Sequence, residues 1–181
     1  MNINYDKMPK SKMKLSSNDE KILNALTVNA RRSLIEISEK TGISRQTVQK
    51  TISKLEKDHV IWGYQAVVDE QKKGFSHFLI LIKRTIRPLD EKVADKIISR
   101  KLEEIAADSG ITIVTSLYSH GSYDWIISFM AADIRHAKKF IEHVKALYSE
   151  YIADIHLLET LFFVKKQGIA NPNVKNLKQF V

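Results

Sequence analysis

The sequence contains no cysteine, and its 181 residues include only six glycines and three prolines. Without cysteine, the chain can form no disulfide framework, no thiol nucleophile and no thiolate metal site. No apolar run approaches the roughly 18 to 20 residues of a membrane span, and the first residues lack the apolar core of a signal peptide. We therefore expect a globular chain that stays in the cytoplasm and has no membrane partner.

The usual signatures of an enzyme are also missing. The sequence has no glycine-rich phosphate loop and no nucleophile motif, and its histidines show no ligand pair at the HxxxH spacing. His136 and His143, two turns apart on one predicted helix, are typical of a polar surface. We therefore predict no catalytic residue, no metal ligand and no cofactor.

Positive charge is in excess, with a formal net charge of +8 and a sequence pI of about 9.5. A chain this basic attracts polyanions, with nucleic acid first and anionic lipid second. The stretch "KMPKSKMK" places four lysines directly before the first predicted helix. This stretch is either a solvated tail or an arm that contacts phosphates.

The residue pattern of the N-terminal third of the chain predicts three short helices. Ser16 or Ser17 can cap the first helix, with Glu20 three residues beyond Ser17 as in a capping box. The second helix has Ile35 and Ile37 as its apolar positions. It ends at "KTG", where glycine can take the left-handed conformation that closes a helix.

The third helix follows Ser44 and has one apolar face, formed by Val48, Ile52 and Leu55 at positions i, i+4 and i+7. Helix, helix, glycine turn and helix is the helix-turn-helix arrangement, whose last helix enters the DNA major groove. The residues predicted to contact bases or phosphates are Arg45, Gln46, Gln49, Lys50, Ser44, Thr47, Ser53, Lys54, Arg31 and Arg32. Among them, Arg suits guanine and Gln suits adenine, so Arg45, Gln46 and Gln49 are the expected base contacts. The alternative is a plain three-helix bundle with a solvated polar face.

The remaining chain predicts mostly strands and two long helices. The run "HVIWGYQAVVD" is rich in β-formers and indicates a strand or a two-part ribbon. From Phe75 onward the predicted order is β-α-β-β-α-β, with one helix between Pro88 and Gly110, another capped by Asp133, and a last strand over "IADIHLLETLFFVKK". This order is the ferredoxin-like pattern of two helices on one face of an antiparallel sheet. Because "FLILI" and "TLFFV" are apolar on both faces, we expect the open face to pack against a second copy.

The predicted fold class is therefore α+β: a winged helix-turn-helix domain followed by a ferredoxin-like, ACT-like domain. The expected segments are a basic arm (1–14), the helix-turn-helix domain (15–60), a β-ribbon or linker (61–74), the ferredoxin-like domain (75–167) and a C-terminal tail (168–181).

Specific motifs strengthen this interpretation. The run from Leu15 to Asp69 contains "DEKIL", "NARRS", "EIS", "TGISRQTV", "ISKLE" and "VIWGY", and "HGSYD" follows at His120 to Asp124. In these motifs the chain resembles the Lrp/AsnC, or feast/famine, family of transcriptional regulators, whose regulatory domain carries a G-x-Y-D loop between two strands. The resemblance implies double-stranded DNA as partner, homodimers and often octamers of four dimers, and an amino acid or related metabolite as effector.

The same resemblance assigns an effector site to the loop between the two central strands. The implied effector residues are Gly121, Tyr123 and Asp124, with Ser119, His120 and Ser122 beside them. Asp124 suits an α-amino group, and backbone N–H groups suit a carboxylate. The alternative is that Gly121 makes a tight turn and Asp124 pairs locally within the sheet.

The sequence departs from the family pattern in a few positions. Arg32 stands where an apolar residue is usual, Glu70 where proline is common, and Gln49 and Thr51 where arginines are frequent. Three other functions remain open. They are a sirohaem decarboxylase, whose family resembles this architecture, a non-specific chromatin-like DNA binder, and an RNA-binding or purely structural adaptor.

Overall fold

The computed structural model describes residues 14–179, except the side chains of residues 176, 177 and 179. Contacts between Cα atoms divide the described chain into two compact units. The smaller unit comprises residues 14–67 and 167–169, and the larger comprises residues 68–166 and 170–179. The predicted basic arm, apart from Lys14, and the last two residues of the predicted tail lie outside the described residues.

Within residues 14–67, the smaller unit contains helices α1 (Ser17–Val28), α2 (Leu34–Thr41) and α3 (Arg45–Lys57). These are the three helices that the sequence predicts. Ser16 caps α1, and its partner in the capping box is Asp19. Glu20 would hold that position only if Ser17 were the cap, but Ser17 is the first residue of α1.

The three helices share one apolar core, and its fully or nearly fully buried members are Ile22, Ala25, Leu26, Ile37, Ile43 and Val48. The sequence prediction was wrong at Ile35, which is 48% exposed. Leu34, at the first position of α2, packs against the core instead. With only eight residues, α2 presents a narrow stripe to the core, so a shift of one position decides which side chain is buried.

The larger unit is built on a four-stranded antiparallel sheet between residues 68 and 179. Its strands are β1 (Ser76–Arg84), β2 (Thr112–Tyr118), β3 (Trp125–Ala131) and β4 (Ile152–Glu159), in the spatial order β2-β3-β1-β4. Helices α4 (Glu91–Ile98), α5 (Lys101–Asp108) and α6 (Ile134–Tyr148) connect the strands. This order is that of the ferredoxin-like pattern and confirms the predicted fold class.

The helices cover one face of the sheet. On β1, Phe78, Ile80 and Ile82 are fully buried against them. Phe129 of β3 stacks on Phe78 and contacts Phe140 of α6 at a centroid distance of 5.0 Å. The intervening residues of the central strands point to the opposite face, because side chains alternate along a strand. In β1, β2, β3 and β4 the apolar residues on that open face are Leu79, Leu81, Leu117, Ile126 and Leu158. Met130 lies on the same face but is buried.

Three sequence predictions about secondary structure were wrong. The helix expected between Pro88 and Gly110 is two helices, because Arg100 takes a left-handed conformation with φ of 57° between α4 and α5. The predicted ribbon does not form: residues 62–69 belong to no helix or strand, and residues Glu70–Lys73 form a 3₁₀ turn. The last long strand stops at Glu159.

The end of the chain adds small elements. Strands β5 (Lys165–Lys166) and β6 (Ile169–Ala170) pair with each other, and a 3₁₀ segment covers Val174–Gln179. No helix among residues 14–179 is long and apolar enough to cross a membrane.

Candidate nucleic-acid interface

Helix α3 has one buried side and one exposed side. Val48 and Leu55 are fully buried, whereas the polar positions on the other side are exposed. The exposed predicted DNA contacts on α3 are Arg45, Gln46, Thr47, Gln49, Lys50, Ser53 and Lys54. Buried anchors on one side fix the rotation of the helix about its axis. The predicted base contacts therefore share a single exposed surface.

The N-terminus of α3 is electrostatically open to an anion. Its first turn contains no acidic residue, so no side chain neutralises the partial positive charge of the helix end. The Ser44 hydroxyl caps the helix by accepting from the Thr47 N–H at 3.3 Å, and the two hydroxyls lie 2.9 Å apart. Ser44 and Thr47 thus have a capping role in addition to the DNA contact predicted for them.

The turn between α2 and α3 sets the angle of α3. Gly42 has φ of +70°, which favours glycine, and its N–H donates to the Ser38 carbonyl to close α2. The Ser38 hydroxyl donates to the Ile43 carbonyl at 2.6 Å, and the Ile43 side chain is buried. These contacts place α3 directly after a closed helix end, as the sequence predicts.

Two predicted phosphate contacts have partners inside the domain. Lys54 lies 3.5 Å from the carboxylate of Asp19, a residue that is only 4% exposed. The Arg32 guanidinium donates to the Ala25 carbonyl near the end of α1 at 3.0 Å. Arg31 is exposed beside it. Lys54 and Arg32 therefore stabilise the packing of α1, and a phosphate contact by either would compete with that role.

The sequence interpretation omitted Lys57. This exposed residue lies four positions after Ser53 and seven after Lys50, on the same side of α3. The i+4 spacing from Ser53 is the sequence signal that places Lys57 on this side of the helix. Just beyond the helix, the Tyr64 hydroxyl donates to Glu56 at 3.0 Å, and burial and that carboxylate raise the pKa of Tyr64.

Replacing Asp19 with asparagine should lower the free energy of unfolding by about 1 kcal/mol at pH 7. Hydrogen bonds from Ser16 lower the pKa of Asp19 below 3.8, and the charge of Lys54 lowers it further. The stabilisation is therefore present above 3.8 and is lost as the pH falls through the lowered pKa. Urea denaturation across a pH series measures this effect. Glu20→Gln, an exposed change in the same turn, is the control and should be nearly neutral.

The loop between β2 and β3 brings the predicted effector residues together at one end of these two strands. Gly121 has φ of +144°, a conformation that other residues adopt only with strain, and nothing lies within 4 Å of where its Cβ would be. Ser119 donates through its hydroxyl to the Tyr123 carbonyl at 2.7 Å, and its N–H donates to the Asp124 carbonyl. The backbone of the loop is therefore held at both ends.

Asp124 ties this loop to the neighbouring strand. Its carboxylate accepts from the Arg84 N–H at 2.8 Å, and its own N–H donates to the Ile82 carbonyl at 2.9 Å. The Tyr123 ring packs edge-on against His156 of β4. His120 and Ser122 are exposed at the tip. The Asp124 carboxylate thus pairs locally in the sheet, as the alternative interpretation of the sequence predicts.

Comparisons with known proteins agree with this geometry. A family model for winged helix-turn-helix DNA-binding domains matches residues 15–61. The chain is 32% identical over 123 residues to the HTH-type transcriptional regulator Ptr1 of Methanocaldococcus jannaschii, covering 68% of this chain and 76% of Ptr1. It is 26% identical over 166 residues to the regulatory protein AsnC of Haemophilus influenzae, covering 91% and 97% of the two chains.

The fold comparison extends over both units. The crystal structure of a transcriptional regulator of Neisseria meningitidis in complex with L-Met matches with a TM-score of 0.60 and 18% identity, covering 88% of this chain and 97% of the other. The family-model match and the named relatives identify a helix-turn-helix DNA-binding transcriptional regulator, and the exposed side of α3 agrees with this class. The chain belongs to the Lrp/AsnC family of such regulators. The relatives named here are regulators, not enzymes.

Proposed function

We propose that the protein binds near-palindromic duplex DNA in a sequence-specific manner, with Arg45, Gln46 and Gln49 contacting bases and Lys50, Ser53, Lys54, Arg31 and Arg32 contacting phosphates. The observation that carries the proposal is the exposed polar side of α3, held in place by buried Val48 and Leu55. An α-helix fits the major groove, which is about 12 Å wide.

Competition binding tests the nucleic-acid class. A labelled duplex should be displaced by unlabelled duplex and only weakly by structured RNA, because the A-form major groove is too narrow for α3. The affinity should fall steeply with salt, since cationic side chains displace counterions from phosphates. Equal displacement by RNA would contradict the proposal and favour an RNA-binding adaptor.

The second part of the proposal is a homodimer formed through the open face of the sheet, with octamers of four dimers as a further assembly. The supporting observation is the row of apolar residues at the centre of that face, including Leu79, Leu81 and Ile126. Four-stranded sheets with one uncovered apolar face are commonly buried against another layer. A twofold axis through this interface would match the symmetry of a palindromic site.

The third part concerns regulation by an amino acid at the loop of Ser119, His120, Gly121, Ser122, Tyr123 and Asp124. The Neisseria meningitidis regulator was crystallised with L-Met, which supports an amino acid as the class of effector. Gly121 leaves backbone accessible, and the fixed loop ends provide a pre-formed shape. Binding there would shift the assembly equilibrium, and with it DNA affinity.

Titration calorimetry with L-methionine, and then with the other amino acids, tests this site. At least one should bind, and Ser122→Tyr, which fills the exposed loop tip, should weaken that binding at least tenfold without changing DNA affinity. Ser149→Tyr is the control at an exposed position outside the loop. If no amino acid binds at about 10 mM, well above a millimolar dissociation constant, the effector proposal fails.

A further inference from the structure

The chain immediately after the helix-turn-helix unit is held by a polar cluster inside the larger unit. Lys166 of β5 forms an ion pair with Glu70 and also donates to the Val68 carbonyl at 3.4 Å. The two charged side chains are only 13% and 19% exposed. An ion pair so shielded from water is weakened little by salt. We call Val68, Glu70 and Lys166 the linker clamp.

Two aromatic contacts extend the linker clamp into the sheet. The Lys166 ammonium lies 5.2 Å from the centre of the Phe163 ring, which packs edge-on against His77 of β1 at 4.9 Å. His77 in turn bonds the Thr160 hydroxyl through Nδ1 at 2.7 Å. Through Phe163, these contacts hold the Lys166 ammonium next to His77 of β1, on the side where it meets Glu70.

The residues on either side of Glu70 are also constrained. Gly74, with φ of +80°, closes the 3₁₀ turn, and the Phe75 N–H donates to the Glu70 carbonyl at 3.1 Å. By contrast, residues 62 to 69 belong to no helix or strand, and Trp62 is 94% exposed. The linker clamp therefore lies where a segment without helix or strand meets the 3₁₀ turn that precedes β1.

We infer that Glu70 and Lys166 are positioning residues for DNA binding: their ion pair fixes the start of the sheet unit, shortens the free linker and so restricts the half-site spacings that a dimer can bind. This inference rests on the proposed binding of two half-sites. A tether of fixed length favours the span it matches and loses affinity at others. Releasing Glu70 lengthens the free segment, so more spacings become acceptable.

His77 provides a spectroscopic measure of the linker clamp. Burial lowers the pKa of His77, the charge of Lys166 lowers it further, and Glu70 raises it. Glu70→Gln should therefore lower the pKa of His77, whereas Lys166→Met should raise it. Opposite shifts from two substitutions at one contact would not arise from general loosening of the fold.

The experiment compares Glu70→Gln and Lys166→Met with the matched controls Asp69→Asn and Lys165→Met, which change exposed neighbours of the same charge. Three quantities are measured in the full chain: the pKa of His77 by NMR, amide hydrogen exchange at residues 68–73, and affinity for duplexes with varied half-site spacing. In Glu70→Gln and Lys166→Met we expect opposite shifts in the pKa of His77 and faster amide exchange at residues 68–73. In both variants the ratio of affinities between preferred and other half-site spacings should fall roughly fivefold. Reversing both charges, with Glu70→Lys and Lys166→Glu, should restore part of that discrimination.

The possible failures are distinguishable. If His77 and the linker amides are unchanged in both variants, the linker clamp does not form. If they change but the spacing profile matches that of the parent, the pair does not position the DNA-binding unit. If the parent itself shows no preferred spacing, the binding of two half-sites fails first, and the positioning role fails with it.

Discussion

Replacing Arg45 with alanine is expected to remove most of the preference for the operator over random DNA and to change the affinity for random DNA only slightly. Arg45 is exposed at the first position of α3, where a recognition helix reaches furthest into the groove. Losing a bidentate contact to guanine costs about 1 to 3 kcal/mol, so the specificity ratio should fall roughly 5- to 150-fold. Fluorescence anisotropy with operator and scrambled duplexes measures both affinities.

Two companion variants make this result specific. Lys50→Ala should weaken binding to operator and random duplexes by the same factor. The slope of log affinity against log salt concentration should fall by about one, the contribution of one phosphate contact. Lys50 is a better choice than Lys54 because Lys54 is paired with buried Asp19, and its loss would also destabilise the domain. Lys139→Ala, an exposed change on α6, removes the same charge elsewhere. If Arg45→Ala and Lys50→Ala lower both affinities equally, the assigned roles are wrong.

Replacing Leu81 with glutamate is expected to convert the homodimer into a folded monomer. Leu81 lies on β1 between the buried residues Ile80 and Ile82 and points to the open face. A twofold interface would bury one new carboxylate from each protomer, and an uncompensated buried charge costs about 3 to 5 kcal/mol. The neighbour of Leu81 on β4 is His156, which already pairs with the carboxylate of Asp154. The dissociation constant of the dimer should therefore rise at least about 100-fold.

Sedimentation equilibrium at micromolar concentrations measures this change. Circular dichroism and thermal unfolding should show that the variant keeps its fold, because the open face is not part of the core beneath the helices. Lys139→Glu introduces the same side chain on the helical side and should leave the dimer intact. A Leu81→Glu protein that remains a dimer would show that the open face is not the interface.

The sequence predicted the elements whose signals are local. Gly42 ends α2 as the sequence predicts, because a left-handed glycine closes a helix within one turn. The apolar run from Phe78 to Ile82 likewise predicted strand β1, but its residues are apolar on both faces, so the sequence did not show which face the helices bury. Such patterns depend on neighbours in the chain and need no knowledge of distant contacts.

What the sequence missed depends on contacts between distant residues. The break at Arg100 lies inside an uninterrupted helical pattern, and no glycine or proline marks it. The pairing of Lys54 with Asp19 was missed, because nothing local shows that Asp19 is buried beside it. Lys166 and Glu70 are separated by 96 residues, so their pairing has no local signature.

Selection of bound fragments from a random duplex pool at about 150 mM salt, followed by sequencing, tests the central claim most directly, because non-specific phosphate binding is weak at that salt. The proposed function predicts a dyad-symmetric motif whose half-sites lie about 10 base pairs apart, one helical turn of DNA. Recovery of that motif would also identify the operator. Recovery of no enriched motif would contradict sequence-specific binding and leave a non-specific, chromatin-like DNA binder.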